Sequence, residues 1–196
     1  MSQKLYMGVK RIIDILLSAM ALILLSWLFL ILCIAIKIDS RGPILFKQKR
    51  VGIHKTHFMI YKFRTMRIDT PKDMPTHMLA DPEQYITRVG KFLRKTSLDE
   101  FPQFINVIKG EMSFVGPRPV VQKEVDMYYG EENSRKIFMV KPGITGMWQA
   151  NGRSDIENYD ERIALDLYYI RNWSLWLDVI ITVKTIKNVI GKKGAY

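Results

Sequence analysis

The chain of 196 residues is poor in the side chains that build covalent cross-links and transition-metal sites. Its single cysteine, Cys33, lies inside an apolar run, so an internal disulfide framework and a cysteine-based metal site are excluded. The three histidines form no His-Glu-x-x-His pattern, which argues against a zinc site. The sequence also has neither a P-loop nor a Gly-x-Gly-x-x-Gly motif, and therefore lacks the common loops that bind nucleotide phosphates.

Acidic residues are also scarce, since 19 aspartates and glutamates face 30 lysines and arginines, for a formal net charge of +11. A surplus of this size indicates an anionic partner, namely nucleic acid, anionic lipid or a phosphorylated substrate. Hydrophobic residues make up 48% of the chain, which argues against an intrinsically disordered protein. The length suits one domain with an appendage.

A long apolar run covers residues 15–36, with Ser18 and Ser26 as its only polar side chains. As a helix this run would extend about 33 Å, enough for the hydrocarbon core of a bilayer. It is longer than the apolar part of a signal peptide, so we expect it to be retained. The sequence therefore predicts a membrane-associated helix.

Basic residues flank this run on both sides, because residues 1–50 contain eight basic and two acidic residues. Basic flanks favour the cytoplasmic side of a membrane. One straight span cannot place both flanks there, whereas a helix that enters, bends and returns can. Ser26 would help such a bend, since its hydroxyl can bond a carbonyl freed at the break. A straight span oriented by its more basic C-terminal flank is the alternative.

Two adjacent carboxylates, Asp99 and Glu100, stand where a loop is predicted to turn into a helix. Apolar residues follow them at the i, i+3, i+4, i+7 spacing of a helix with one buried stripe, and a Lys-Gly pair at 109–110 predicts its end. Ser97, three residues before Glu100, predicts a capping box. Carboxylates in a first helical turn are often only structural, because they complement the helix dipole.

Positive charge surrounds this acidic pair. Four cations precede it and another follows it within a Gly-Pro-Arg-Pro turn: Arg88, Lys91, Arg94, Lys95 and Arg118. Such charge would hold both carboxylates ionised, and the two prolines hold the last arginine on a stiff backbone. Ionised carboxylates among arginines suit a site that handles phosphate and a divalent metal.

Short mixed elements are predicted around these features. Residues 42–52 are predicted to be a turn, a short strand and then a basic loop. The alternation in residues 60–66 predicts a strand with Lys62 and Arg64 on one face. The same pattern fits a solvated basic edge strand. Residues 67–84, which contain three prolines, are predicted to be a loop.

The second half carries one further glycine-rich stretch and two helices. The stretch contains Trp148, Gln149 and Arg153, which could stack a base and bind its edges. Residues 161–170 are predicted to be helical, with Asp166 beside the apolar face. The tail predicts a basic amphipathic helix, which lies on a membrane surface or packs against the domain. Its apolar stripe consists of Val179, Ile180, Val183, Ile186 and Ile190.

Eight short motifs follow one another along nearly the whole chain: Lys10-Arg11-x-x-Asp14, Gly42-Pro43-x-x-Phe46-x-Gln48-x-Arg50-x-Gly52, Lys62-Phe63-Arg64-Thr65-Met66, Ser97-Leu98-Asp99-Glu100-x-Pro102-Gln103, Met112-Ser113-x-Val115-Gly116-Pro117-Arg118-Pro119, Pro142-Gly143-Ile144-Thr145-Gly146, Gln149-x-Asn151-Gly152-Arg153 and Leu165-Asp166-x-Tyr168-Tyr169. In this order they resemble the small monotopic phosphoglycosyl transferases, a bacterial sugar transferase family that begins lipid-linked glycan assembly. One departure is that Trp27 follows Ser26, where the family commonly has a proline that kinks the membrane helix.

The resemblance implies an α+β, predominantly helical fold, with a re-entrant membrane helix over residues 1–39 and a small mixed catalytic domain over residues 40–196. Short strands and interfacial amphipathic helices would belong to the catalytic domain. The implied reaction transfers a sugar-1-phosphate from a UDP-sugar to polyprenyl (undecaprenyl) phosphate and releases UMP, with Mg²⁺ as cofactor. Its place would be the cytoplasmic face of the bacterial inner membrane, in contact with phospholipid and without nucleic acid.

The resemblance also assigns roles to single residues. Asp99 would be the nucleophile that forms a covalent phosphosugar intermediate, and Glu100 would bind Mg²⁺. Asp166 would be a second acidic metal ligand. The residues expected to bind substrate are Lys62, Arg64, Arg94 and Arg118 for the diphosphate, and Gln149 and Arg153 for the nucleotide or sugar.

Two other classes of protein stay open at this point. One is a membrane-anchored nucleotide-sugar hydrolase that uses the same carboxylates. The other is a membrane-tethered nucleic-acid-binding protein, suggested by the charge and the interleaved aromatic residues. Neither explains the ordered motif set. The sequence does not specify the sugar, the glycan pathway or whether the protein forms a homo-oligomer.

Overall fold

The computed structural model describes residues 3–70, 81–152 and 158–191. Its helices are α1 (Gln3–Leu24), α2 (Ser26–Asp39), α3 (Arg88–Thr96), α4 (Gln103–Lys109), α5 (Gln122–Glu124), α6 (Gly130–Ile137), α7 (Met147–Ala150), α8 (Tyr159–Arg171) and α9 (Leu175–Ile190). Its strands are β1 (Leu45–Val51), β2 (His57–Phe63), β3 (Ser113–Val115) and β4 (Gly143–Thr145). Single 3-10 turns occupy Ile53–Lys55, Glu83–Tyr85 and Leu98–Glu100, and a π turn occupies Val125–Tyr129. The predicted α+β, predominantly helical class is confirmed.

The apolar run is broken into α1 and α2, whose axes differ by 63°. The break falls at Leu25, where φ of −102° and ψ of 10° depart from helical values. Ser26 Oγ donates a hydrogen bond of 2.9 Å to the Ile23 carbonyl, as the sequence suggested, and no proline is needed for the bend. Among the described residues, a bilayer-crossing length of apolar helix is reached only by this bent pair taken together.

The first half of α1 is bonded to the rest of the chain through its polar side chains. Lys10 Nζ lies 2.6 Å from Asp178 Oδ2 at the start of α9. Asp14 accepts hydrogen bonds from the Ser113 hydroxyl at 2.7 Å and from a backbone N–H of β3. Arg11 donates to two carbonyls in the last turn of α4. These contacts fix α1 against α4, β3 and α9.

The hairpin of β1 and β2 is antiparallel, with Gln48 opposite Ile60 and Arg50 opposite Phe58. Facing residues of an antiparallel pair point to the same side of the sheet, so these four side chains share one face. Lys47 and Lys49, which alternate with Gln48 and Arg50 along β1, are exposed. The prediction of a basic loop at the end of residues 42–52 is therefore wrong, because the strand continues to Val51 and alternates along its length.

The two glycine-rich stretches lie side by side through the parallel strands β3 and β4. Gly116 N donates to the Thr145 carbonyl at 2.9 Å, and Gly143 N donates to the Pro117 carbonyl at 2.8 Å. A Cβ atom at Gly143 would lie 2.1 Å from Gly116 N, so only glycine permits this approach. The contact fixes the base of the Gly-Pro-Arg-Pro turn.

The acidic pair lies on the 3-10 turn Leu98–Glu100, between α3 and α4. Ser97 ends α3 with a φ of +55° and forms no side-chain cap, so the predicted capping box is absent. The predicted end of α4 is confirmed, because Gly110 follows it with a φ of +86°. The acidic residues thus occupy a tight connection between two helices rather than the first turn of one.

The C-terminal helices also form where the sequence predicts them. Tyr169 of α8 is buried and donates a hydrogen bond of 2.7 Å to Asp178 of α9. Ile181 of α9 is fully buried on the same side as Asp178. The predicted apolar stripe of α9 lies on the outward side, where Val179, Val183 and Ile186 are exposed.

Candidate active site

A narrow crevice opens between the hairpin, the acidic turn and the two glycine-rich stretches. Its lining residues are Arg50, Ile60, Lys62, Glu100, Gln103, Arg118, Pro119, Gly143 and Ile144. Its volume of about 10 Å³ admits about one water molecule. Three cations and one carboxylate line this small space, which makes it a site for negatively charged oxygen atoms.

Glu100 is the acidic centre of the crevice. Its Oε1 lies 2.9 Å from Lys62 Nζ and 4.0 Å from Arg118 Nη1. The side chains of Lys62 and Glu100 are 19% and 11% exposed, so this ion pair is largely shielded from water and its attraction is only weakly screened. The structure thus brings together one predicted metal ligand and two predicted phosphate-binding cations.

Asp99 stands on the same turn, on the side of α3. Arg94 donates from Nε to the Thr65 hydroxyl at 3.0 Å, which orients the guanidinium. Burial lowers the pKa of Arg94, and the charge of Asp99 acts in the opposite direction. The predicted neighbourhood of Asp99 and Arg94 is therefore present in the fold.

Arg118 lies over the face of Trp148, with its guanidinium carbon 4.9 Å from the ring centroid. Arg162 lies 4.5 Å from the same centroid. Because Trp148 is buried and contacts both guanidinium groups, it is not an open platform for a base, and that prediction is wrong. The ring instead stabilises the position of Arg118 through a cation–π contact.

Arg50 is a crevice residue to which the sequence analysis gave no role. It donates to the Pro119 carbonyl at 3.2 Å and to Gln48 Oε1 at 2.6 Å, and it lies 3.4 Å from Glu124 Oε2. Burial lowers the pKa of Arg50 to about 10, which leaves it charged at neutral pH. The alternation in residues 47–51 is the sequence signal for the position of Arg50. In a strand, Arg50 shares the face of Gln48, opposite the exposed lysines.

Arg64 is not brought to the crevice. It follows the end of β2, and its guanidinium donates to the carbonyls of Ile36, Ser40 and Arg41 at the C-terminal end of α2. The prediction of one strand that presents Lys62 and Arg64 on the same face is therefore wrong. The cause is that the strand stops at Phe63, so the alternation does not extend to residue 64.

Two more predicted site residues are enclosed by the fold, and one lies outside the described residues. Gln149 is buried in α7, and its side-chain amide makes no hydrogen bond among the described residues. Asp166 is buried in α8, where burial raises the pKa of its carboxyl to about 8 despite the opposing charge of Arg118. A carboxyl protonated at neutral pH is a poor Mg²⁺ ligand. Arg153 belongs to residues 153–157, outside the described part.

The acidic turn fits a magnesium ion better than any set that includes Asp166. Mg²⁺ in proteins takes one or two carboxylates and completes its octahedron with phosphate oxygens and water. Asp99 and Glu100 supply two carboxylates that are consecutive in sequence on one 3-10 turn. Within the described residues, no three acidic, histidine or cysteine side chains group together as a metal site. The chemistry of the donors therefore suits a metal shared with a phosphorylated substrate.

The family model for bacterial sugar transferases matches residues 5–192. A relative named exopolysaccharide production protein ExoY, from Sinorhizobium fredii, is 39% identical over 202 residues, which is 95% of this chain and 88% of the relative. This chain belongs to the bacterial sugar transferase family. The motif-based resemblance is thereby confirmed.

Other members of the family are longer than this chain. The undecaprenyl-phosphate galactose phosphotransferase of Salmonella typhimurium is 41% identical over 95% of this chain and 41% of its own length. The UDP-glucose:undecaprenyl-phosphate glucose-1-phosphate transferase of Klebsiella pneumoniae is 41% identical with the same coverage. The chain spans about two-fifths of the length of these family members.

Proposed function

We propose that this protein transfers a sugar-1-phosphate from a UDP-sugar to undecaprenyl phosphate, or another polyprenyl phosphate, and releases UMP. The main support is the Asp99–Glu100 turn, set among Lys62, Arg94 and Arg118. Phosphoryl transfer requires charge neutralisation and alignment more than proton chemistry. The names of the Salmonella and Klebsiella relatives describe the same class of reaction.

In this proposal Asp99 is the nucleophile. One carboxylate oxygen attacks the β-phosphorus and forms an acyl–phosphate bond, while the bond from that phosphorus to the bridging oxygen breaks. UMP leaves with the electron pair of the broken bond. A phosphate oxygen of the lipid then attacks the same phosphorus and releases the carboxylate. Two half-reactions allow a soluble and a membrane-bound substrate to use one site in turn.

The cations and Glu100 would neutralise and align the diphosphate. Glu100, with Asp99 beside it, is the residue that would hold Mg²⁺. The bound ion would neutralise charge on the diphosphate oxygens. Because the crevice admits about one water molecule, the substrate would bind across its mouth, within reach of Lys62 and Arg118.

We further propose that the bent pair of α1 and α2 enters and leaves the cytoplasmic leaflet of the inner membrane, with α9 at the membrane surface. Large exposed apolar side chains of these helices include Ile12, Leu16, Ile23, Trp27, Leu30, Trp176, Val179 and Val183. Such side chains are stabilised by contact with lipid. In this arrangement the acceptor phosphate stays at the interface, beside the catalytic turn.

The decisive experiment compares the wild type with Asp99→Asn, using a UDP-sugar labelled in its β-phosphate. The wild type is expected to retain label on the protein until polyprenyl phosphate is added, and then to form lipid product. Asp99→Asn should do neither, while Asp126→Asn, an exposed control, should behave as the wild type. Full transfer by Asp99→Asn would refute the nucleophile. Release of free sugar phosphate without lipid would identify a hydrolase.

Topology is tested separately in a Cys33→Ser background, with single cysteines at positions 3 and 41. A membrane-impermeant thiol reagent added to intact cells should leave both positions unlabelled, and both should react after the inner membrane is opened. Labelling of one position in intact cells would indicate a straight span.

The sugar donor is identified by assaying the wild-type protein for UMP release with a panel of UDP-sugars and polyprenyl phosphate.

A further inference from the structure

A second cavity, of about 110 Å³, lies against the first half of α1 and shares no lining residue with the catalytic crevice. Much of its wall is apolar: Met7, Ile53, Val115, Val140 and Trp173. Its polar wall includes Lys10, Arg11, Asp14 and Lys141. An apolar wall with a few polar groups is typical of ligand sites, and it suits an amphiphilic ligand whose head contacts the polar groups.

Most charged groups of this cavity already have partners. Lys10 is paired with Asp178, and Asp14 accepts hydrogen bonds from Ser113 and from a backbone N–H of β3. Arg11 donates to the carbonyls of Val107 and Ile108, which leaves further N–H donors on its guanidinium group. Lys141 is the remaining charged residue in the wall of this cavity.

Lys141 is half-buried, and its ammonium group makes no hydrogen bond or ion pair among the described residues. It lies close to Arg11, because a Cβ atom built at Gly110 would be 3.4 Å from Arg11 Nη2 and 3.7 Å from Lys141 Nζ. Burial lowers the pKa of Lys141, the charge of Arg11 lowers it further, and the charge of Asp14 acts in the opposite direction. Because the Asp14 carboxylate is already hydrogen-bonded by Ser113 and by β3, a further anion beside Lys141 and Arg11 would stabilise these two neighbouring cations.

We propose that this cavity binds the phosphate group of a membrane phospholipid, with Lys141 and Arg11 as its cationic contacts. The lipid's glycerol and first methylene groups would lie along Met7 and Trp173. The position favours a bilayer lipid because the cavity is bounded by α1, whose Leu5 and Ile12 side chains are exposed. The inference rests on the proposed membrane association of α1 and adds a structural lipid site to it.

Native mass spectrometry of the full chain in neutral detergent tests the site with added phosphatidylglycerol. The wild type should retain one lipid at low lipid concentration, and Lys141→Gln should lower the retained fraction at least fivefold. Lys141→Arg should retain the lipid, because it keeps the charge. Lys123→Gln removes the same charge from an exposed position and should bind as the wild type. Equal retention by Lys141→Gln and the wild type, or equal loss in both Gln variants, would overturn the proposal.

Acetylation of lysines in the same micelles, read by peptide mass spectrometry, locates the lipid. One equivalent of phosphatidylglycerol should slow the modification of Lys141 about tenfold and leave Lys123 unchanged. Equal protection by inorganic phosphate alone would assign a free-anion site, and competition by undecaprenyl phosphate would assign the acceptor. Either result would refute a phospholipid site.

Thermal unfolding covers the case in which a variant folds poorly. Phosphatidylglycerol should raise the midpoint of the wild type but not that of Lys141→Gln, because only the bound folded state gains stability. Without lipid, Lys141→Gln should be at least as stable as the wild type, since it removes an unpaired cation. Vesicle flotation of both proteins tests membrane association independently. A protein that does not float with vesicles would refute membrane association, whereas one that floats but does not retain phosphatidylglycerol would refute only this lipid site.

Discussion

The ammonium group of Lys62 lies 2.9 Å from Glu100 Oε1, between a strand of the hairpin and the acidic turn. Both groups are predicted to act on the substrate, one on its phosphates and the other through a metal. In the structure each neutralises the other, so binding of Mg²⁺ and diphosphate would require the pair to separate. Lys62 would then exchange one carboxylate for the phosphate oxygens that arrive with the metal.

Replacing Lys62 with Met should therefore lower two kinetic quantities. The maximal rate should fall by about one to three orders of magnitude, because a preorganised charge contact to the transferring group is lost. The Mg²⁺ concentration for half-maximal rate should also fall, since Glu100 no longer has a competing cation. The measurement is UMP release over a Mg²⁺ titration at saturating UDP-sugar.

The matched control is Lys49→Met, which removes the same charge from the exposed face of β1. It should leave both quantities within about twofold of the wild type. A variant at Lys62 with an unchanged Mg²⁺ requirement would show that the ion pair does not limit metal binding.

Arg50 should matter for the position of Arg118 through the backbone at Pro119. Arg50→Lys keeps a positive charge but loses the fork that joins the Pro119 carbonyl, Gln48 and Glu124. We expect kcat/KM for the UDP-sugar to fall about tenfold while bulk charge is unchanged. Glu124→Gln should shift kcat/KM in the same direction, because that carboxylate holds the other side of Arg50 and accepts a hydrogen bond from Tyr159.

The double variant separates positioning from general destabilisation. If Arg50 and Glu124 act as one unit, the double variant should lose little more activity than either single variant. Additive losses with a normal unfolding midpoint would refute the shared role.

Local sequence patterns anticipated several features of the fold, for reasons that lie within one element. Gly110 ends α4 because glycine adopts a positive φ at little conformational cost. Ser26 marks the helix break because its hydroxyl reaches a carbonyl three residues earlier. The acidic pair stood out because Arg94, whose charge interacts with Asp99 in the fold, is also close to it in sequence.

The patterns failed where distant segments decide the outcome. Lys10 and Asp178 are separated by 168 positions, and no periodicity indicates that they pair. Arg50 enters the site through strand register, which depends on the partner strand. Arg64 lies outside the site because its guanidinium group donates to three carbonyls at the end of α2. The residues next to Arg64 in sequence do not predict this tertiary contact.

The buried carboxyl of Asp166 should make stability depend on pH. Burial raises its pKa from an ordinary 3.8 to about 8. Between these values the folded state holds a proton that the unfolded state has released, so the free energy of unfolding falls as the pH rises from about 4 to about 8. One proton corresponds to a slope of at most about 1.4 kcal/mol per pH unit.

Asp166→Asn cannot titrate and provides the reference. Urea unfolding in detergent should show the wild type losing stability relative to the variant between pH 5 and pH 8, because other groups contribute equally to both curves. Parallel curves for the two proteins would mean that Asp166 is ionised in the folded state, and a role in metal binding would then regain support.

Arg64 tests whether a motif residue acts on substrate or on architecture. Its guanidinium donates to three carbonyls at the end of α2, so Arg64→Lys should lower the free energy of unfolding by about 1.5–3 kcal/mol, the usual range for hydrogen bonds to charged groups. The KM for the UDP-sugar should stay within about twofold, because the crevice cations are untouched. Arg67→Lys, at an exposed ion pair with Asp69, should change neither quantity. A tenfold rise in KM with unchanged stability would instead place Arg64 on the diphosphate and would require the end of α2 to release it during catalysis.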